Sequence, residues 1–215
     1  MYDFSFVKPG TVADAVTALA SEDAQALGGG QTLIPTMKQR LASPAKLVSL
    51  TGIADMQGVS QSGGVLSIGG ATTHAAVSAQ AGGFAGLAAL AGGIGDPAVR
   101  NRGTIGGSLA NNDPAACYPS AALATGATIV TNTREIAADD FFQGLFETAL
   151  DEGEIITAVH MPIPEASNYQ KFEQPASRFA LVGVFVAKYA SGVRVAVTGA
   201  SEGGVFRWSE AEAAL

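Results

Sequence analysis

Two short glycine clusters, each bracketed by polar and hydroxyl-bearing residues, are the segments of this 215-residue chain best suited to binding chemistry. The first is Gly28-Gly29-Gly30-Gln31-Thr32. Consecutive glycines let the main chain turn sharply, so that several N–H groups converge on one point. The Thr32 hydroxyl and the start of a following helix add donors and the positive end of a helix dipole. That is a phosphate cradle without a charged side chain. The segment is neither GxGxxG nor the Lys-containing P-loop, and an ordinary left-handed turn explains three glycines about as well. The second cluster is Thr104-Ile105-Gly106-Gly107-Ser108. Alone it reads as a hairpin turn. Two such segments in one chain suit a single diphosphate held from both sides, and that joint reading is preferred. Asp113, in Asn111-Asn112-Asp113-Pro114, is either a turn former ahead of proline or a carboxylate accepting hydrogen bonds from ribose-like hydroxyls. Asp96-Pro97 reads as a turn.

These segments need elements to hold them. Thr11 and Asp14 make a capping-box-like start for a helix over 11–20, with Val12, Ala15, Val16 and Leu19 at helical spacing. Ala24–Leu27 is a strand running into the first glycines, Leu33–Leu41 a helix with Pro35 in its first turn, and Lys46–Leu50 a second strand. Strand, glycine turn, helix, strand is a βαβ-like unit. The pattern changes near Gly52. Met56–Ser60 and Val65–Gly69 flank Ser62-Gly63-Gly64 as a hairpin. Thr73 is placed to cap a helix carrying His74, and Leu87–Ala91 is helical. From Gly92 to Pro119 turn formers dominate, and a long irregular stretch inside a compact domain is usually functional. Then come a helix at Ser120–Thr125 and strands at Thr128–Thr131 and Ile155–Met161. Pro162, Pro164 and the polar residues up to Asn168 mark a boundary. Beyond it, Phe179–Tyr189 and Val193–Thr198 pair around Ser191-Gly192, and Trp208–Leu215 begins a helix. The predicted organisation is 1–52, 53–165 and 166–215, the last being a poor core by itself.

Composition narrows the function. A hydrophobic fraction of 47% against 14% charged residues describes a packed globular chain, not a disordered one. The net charge of -7 argues against nucleic acid as a partner. The single cysteine, Cys117, excludes an internal disulfide and any all-cysteine metal or iron–sulfur site within this chain. The two histidines, His74 and His160, are too few for most zinc sites. No run approaches a membrane span, and the N-terminus shows no basic region ahead of an apolar stretch, so a cytoplasmic location is expected.

The run Gly95-Asp96-Pro97-Ala98-Val99-Arg100-Asn101-Arg102-Gly103-Thr104-Ile105-Gly106-Gly107-Ser108-Leu109-Ala110, continued by Asp113-Pro114-Ala115-Ala116, strongly resembles the FAD-binding medium subunits of aerobic carbon monoxide dehydrogenase and xanthine dehydrogenase-type enzymes. Phe4, Pro9, the Gly29–Thr32 segment, Ile68-Gly69-Gly70-Ala71-Thr72-Thr73-His74 and Tyr169-Gln170-Lys171-Phe172 extend the resemblance over nearly the whole chain. It implies an α+β protein with the two-lobed FAD-binding fold of the vanillyl-alcohol oxidase (PCMH) type, followed by a small α+β C-terminal domain. It also implies non-covalent FAD, with Gly28, Gly29, Gly30, Gln31 and Thr32 as one pyrophosphate loop and Thr104, Gly106, Gly107 and Ser108 as the other. Ile105 would lie near the flavin, Asp113 would meet the ribityl chain, and Lys171 would approach the isoalloxazine edge. The implied partners are a molybdopterin-binding large subunit and a [2Fe–2S] small subunit in a dimer of heterotrimers, with this chain passing electrons on.

Three departures from the family pattern stand out. Gly28 replaces a common Ala. Pro175-Ala176-Ser177-Arg178 replaces an Arg-containing segment, which bears on the flavin-edge contacts. The chain stops at Leu215, so the C-terminal domain is expected to be incomplete. His74 reads as a capped-helix histidine and not as a point of covalent flavin attachment, and Cys117 as a buried small apolar residue. Arg100 and Arg102 would contact either a phosphate or acidic groups. Trp208 suits a core or an interface, and Glu147, Asp151, Glu152 and Glu154 suit a solvated acidic face. The rival readings are a stand-alone flavin reductase of the same fold, which would need its own acid or base beside the flavin, and an FAD-free assembly module.

Overall fold

Thr11 starts the first helix through both halves of a local exchange. Its hydroxyl accepts the Asp14 amide at 3.1 Å and donates to the Asp14 carboxylate at 2.8 Å. The computed structural model describes all residues from 1 to 215. Its first layer is β1 (Ser5–Val7), α1 (Val12–Leu19), β2 (Ala24–Leu27), α2 (Leu33–Lys38) and β3 (Lys46–Ser49). The strands form a parallel sheet in the order β1-β3-β2, as the βαβ pattern requires. Ala15 and Leu19 of α1 pack on Val48 in a small core that also takes in Ile53, Met56, Ala71 and Ile155 from later in the chain.

The second layer begins with a 3-10 turn at Ala54–Met56 and the hairpin β4 (Val59–Ser62) and β5 (Val65–Gly69). It continues through α3 (His74–Gln80), α4 (Ala85–Gly92), α5 (Pro97–Arg100), α6 (Ile105–Asn111) and α7 (Tyr118–Thr125). It ends with β6 (Thr128–Thr131), β7 (Glu135–Ala137), α8 (Ala138–Phe141), the short pair β8 (Phe142–Gly144) and β9 (Glu147–Thr148), and β10 (Ile156–Pro162). β10 inserts between β5 and β6, giving an antiparallel sheet in the order β4-β5-β10-β6-β7. The expected irregular stretch from Gly92 to Pro119 in fact contains α5, α6 and the start of α7. The first two helices are too short to show periodicity, and their caps, Asp96 and Thr104, are what identify them.

The third layer is β11 (Ala166–Glu173), β12 (Ala180–Tyr189), β13 (Gly192–Thr198), β14 (Phe206–Arg207) and α9 (Ser209–Ala214), an antiparallel sheet in that order with one helix on β13. It has no separate core. Tyr169, Phe185, Ala187 and Ala196 join the same 28-residue cluster as Phe84, Tyr118 and Phe141. Every residue of α7 is buried, as expected of a helix apolar on all sides. Its C-terminus ends at Gly126, whose φ of 61° is left-handed, and Arg194 of β13 donates Nε and Nη2 to the Leu123 carbonyl there. Trp208 is not part of the core but a half-exposed residue ahead of α9.

The acidic face expected around Glu147–Glu154 holds only in part. The Glu154 side chain is 2% exposed. It accepts from Thr131 Oγ1 at 2.6 Å, Thr133 Oγ1 at 2.7 Å, Arg134 Nε and Nη2 at 3.1 and 2.9 Å, and the Asp151 amide at 2.8 Å. The Arg134 guanidinium and these hydroxyls hold its carboxyl well below the usual carboxylate range. The loop before β10 is therefore stapled to the end of β6. Replacing Glu154 by Ala removes the acceptor shared by two hydroxyls, the Asp151 amide and Arg134, which keeps the Ala149 carbonyl and the Asp151 carboxylate. Because Arg134 can turn to water, the expected loss is about 2 kcal/mol, read as a lowered midpoint in urea unfolding.

Candidate functional site

The β2–α2 connection carries the first glycine cluster, and none of the backbone amides from Gly28 to Thr32 donates to an acceptor in the protein. Gln31 folds back, its Nε2 donating to the Gly29 carbonyl at 3.1 Å, and its own amide is left free. Gly30 is the position that needs glycine for its backbone, with φ at 69°. Gly28 and Gly29 are required by proximity instead. A Cβ on Gly29 would stand 1.9 Å from the Arg102 carbonyl oxygen, and one on Gly28 would stand 2.8 Å from Thr104 Oγ1. The first cluster thus lies directly against the residues that lead into the second, as the joint reading expects.

The second cluster is not a loop. Thr104 caps α6, its Oγ1 accepting the Gly107 amide at 3.1 Å. The Ile105, Gly106 and Ser108 amides go to the Thr72, Gly70 and Thr104 carbonyls. Four of its five N–H groups, those of Ile105 to Ser108, are therefore already paired, in contrast to those of the first cluster. Gly106 is glycine because a Cβ would meet the Gly70 oxygen at 2.5 Å. This segment offers a bare helix surface plus the Ser108 side chain. The Ile105 side chain is fully buried in the large core and does not line the site; it anchors α6.

Both clusters line one cleft of about 450 Å³, which runs between the first two layers and reaches the β11–β12 loop. Asp113 lies on its wall, with Oδ1 accepting the Ala115 amide at 2.8 Å and its other oxygen unpaired within the protein. Lys171 does not line the cleft. Its ammonium is buried behind the wall, donating to the Gly93 carbonyl at 2.7 Å and the Arg178 carbonyl at 2.8 Å, with the Glu173 carboxylate 3.7 Å away. Arg100 makes no ion pair with an acid of this chain. Its Nη1 donates to the Ile94 and Gly95 carbonyls. Arg102 meets Gly29 through its carbonyl oxygen. Two cations therefore hold three successive carbonyls, Gly93 to Gly95, at one end of the cleft. Arg178, with a left-handed φ of 61°, and Phe179 close that end from the third layer.

Sequence reasoning missed several lining residues: Gly70, His74, Ile94, Gly95, Cys117 and Phe179. Gly70 and His74 stand in the motif that carries the family resemblance, which is the one signal that would have found them. Cys117 is buried as expected, and burial pushes its thiol up despite the Lys171 ammonium 3.9 Å away.

Residues 2–164 match the family model described as the FAD binding domain in molybdopterin dehydrogenase. The chain belongs to this family. It is 36% identical over 201 residues to the carbon monoxide dehydrogenase medium chain of Afipia carboxidovorans, covering 88% of this chain and 70% of that one. It is 34% identical to the nicotine 6-hydroxylase medium subunit of Paenarthrobacter nicotinovorans, covering 91% and 74%. Reconstituted CO dehydrogenase from Oligotropha carboxidovorans superposes with a TM-score of 0.92 at 32% identity, covering all of this chain and 80% of that one. The fold is accordingly the α+β FAD-binding fold that the resemblance implied, and the protein is the flavin subunit of an oxidoreductase.

The cleft suits FAD on its own geometry. Five free amides at a turn into a helix form an anion cradle, held in place by the side-chain-free contact of Gly29 with Arg102. Gly29→Ala cannot keep that contact. It is expected to weaken FAD binding more than tenfold and to cost about 1–3 kcal/mol of stability, measured by flavin fluorescence titration and thermal unfolding.

His74 supplies a pH signature. Burial, with the Arg100 charge as a smaller cause, lowers its pKa to about 4 from 6.5. The neutral ring therefore contributes stability that is fully present above pH 6.5 and is lost as pH falls toward about 4. The loss amounts to about 3 kcal/mol. His74→Gln should flatten the unfolding free energy across that window, leaving the Glu154-linked fall to appear only at lower pH.

Proposed function

We propose that this chain is the exit of an electron path. Reducing equivalents released at a molybdenum cofactor in a large partner subunit pass through the [2Fe–2S] clusters of a small partner, reach this subunit, and leave for an external acceptor. The assembly is read as a cytoplasmic dimer of heterotrimers. FAD supplies the interconversion between paired and single electrons. The chain's residues bind and orient it. The amides of Gly28 to Thr32 hold the diphosphate, and Thr104, Gly106, Gly107 and Ser108 form the opposing wall. Asp113 accepts from ribityl hydroxyls with its free oxygen. Lys171 acts at one remove, by fixing the Gly93 and Arg178 carbonyls so that the cleft end keeps its shape, while its buried positive charge favours an anionic ring.

One observation carries this reading: the free amides of the first cluster abut the second cluster within a single cleft. The names of the relatives, medium chains of a carbon monoxide dehydrogenase and of a nicotine hydroxylase, support the electron-transfer role.

The folded chain should purify yellow or turn yellow on addition of FAD, and in the assembled enzyme its flavin should bleach when the holoenzyme's substrate is added. A folded, colourless chain that ignores FAD overturns the reading. Asp113→Ala should weaken FAD about tenfold, the loss of roughly one charge-assisted hydrogen bond, with little change in the unfolding midpoint.

A further inference from the structure

His74 stands on the wall of the flavin cleft, yet the functional reading assigns it nothing. Its residue surface is 5% exposed. Nδ1 is fully covered and unpartnered, and Nε2 makes no hydrogen bond to the protein either. A buried ring nitrogen without a partner is destabilising, so a side chain kept in this state calls for a ligand or a packing reason.

Packing explains where the ring is, but not why it is polar. Thr73 caps α3 by accepting the Ala76 amide, and the His74 amide donates to the Gly103 carbonyl at 2.9 Å. Thr73 also bridges to Thr104, the cap of α6. The imidazole then lies over Gly103, where a Cβ would stand 2.4 Å from Nε2, and against the Tyr118 ring at a centroid distance of 5.3 Å. The ring is thus locked to the start of the second glycine segment. A leucine would fill such a space and leave no orphan nitrogen.

We infer that His74 is a flavin-contacting residue, whose Nε2, the ring nitrogen that is not fully covered, supplies a hydrogen bond to the bound cofactor from the wall next to Gly103 and so helps hold the flavin and set its potential. The inference rests on the FAD reading of the cleft. The groups that face the ring are Arg100 from α5 and Tyr118 from α7, with Cys117 beside the latter. Burial, with the Arg100 charge as a smaller cause, keeps the ring neutral. It therefore offers one donor and one acceptor and places no charge beside the flavin.

The test uses the full chain bound to FAD. With only His74 and His160 present, a ¹⁵N-histidine spectrum is assigned by a single His160→Asn control. Addition of FAD to the wild type should move the His74 ring nitrogens and leave those of His160 in place. His74→Leu should loosen FAD about tenfold and lower the flavin midpoint potential by about 30 mV, the two-electron equivalent of a tenfold change, whereas His74→Gln should stay within about threefold of the wild type. The inference is overturned by unmoved His74 nitrogens in the FAD-bound wild type, by a folded Leu variant with wild-type affinity and potential, or by a Gln variant as impaired as the Leu variant. The ¹⁵N readout needs no variant at His74 and stands even if the Leu protein does not fold. Failure of the wild type to bind FAD at all would instead strike the reading of the cleft.

Discussion

The structure depends on one contact between main chains, Gly28 and Gly29 against Arg102, Gly103 and Thr104. These segments are over seventy residues apart in sequence, and any side chain at the first pair would separate them. Their proximity brings the parallel β1-β3-β2 layer against the antiparallel layer at the point where α6 begins. It also explains why glycines recur at both ends of the contact. Only Gly30 among these needs a left-handed backbone; Gly28, Gly29, Gly103, Gly106 and Gly107 are glycine because something lies where a Cβ would be. The small second core, with Ala15 and Val48 from one layer and Ala71 and Ile155 from the other, packs behind this contact and keeps it shut.

In the proposed function, that constraint lets a chain of net charge -7 take an anionic diphosphate. The cleft offers it the unpaired amides of Gly28 to Thr32 at a helix start. The cations near the site serve as internal ties instead: Lys171 binds the Gly93 and Arg178 carbonyls, and Arg100 binds those of Ile94 and Gly95. Arg194 does the same at the end of α7. Each tie crosses between elements, so the cleft wall, the buried helix and the third layer behave as one body around the shared core. A wall built this way presents fixed dipoles to its ligand, and such dipoles need no rearrangement when charge on the ligand changes.

Much of the local structure was legible because the deciding physics is local. Thr11, Thr73 and Asp113 act within three residues of themselves, and helix periodicity and the Ser62-Gly63-Gly64 turn placed α1 and the β4–β5 hairpin. What escaped was non-local or short. Nothing in Ile156–Pro162 announces that β10 pairs between β5 and β6, since an alternating apolar strand carries no address. Glu154 looked solvated among acidic neighbours, because its partners Thr131, Thr133 and Arg134 lie some twenty residues upstream. Lys171 was expected at the flavin edge and is instead buried behind the wall, because the carbonyls it answers to become neighbours only after folding.

The sequence by itself determined the family, the cofactor class and the two glycine clusters, because long ordered motifs and glycine placement are written residue by residue. Only the tertiary structure decided what each glycine is for. The two clusters look alike on paper, yet one leaves its amides unpaired in a turn while the other pairs all but that of Thr104 at a capped helix start. Whether an N–H group is available to a ligand depends on which carbonyls the rest of the chain brings to it. Thr72 and Gly70 come to the second cluster, and no acceptor comes to the first.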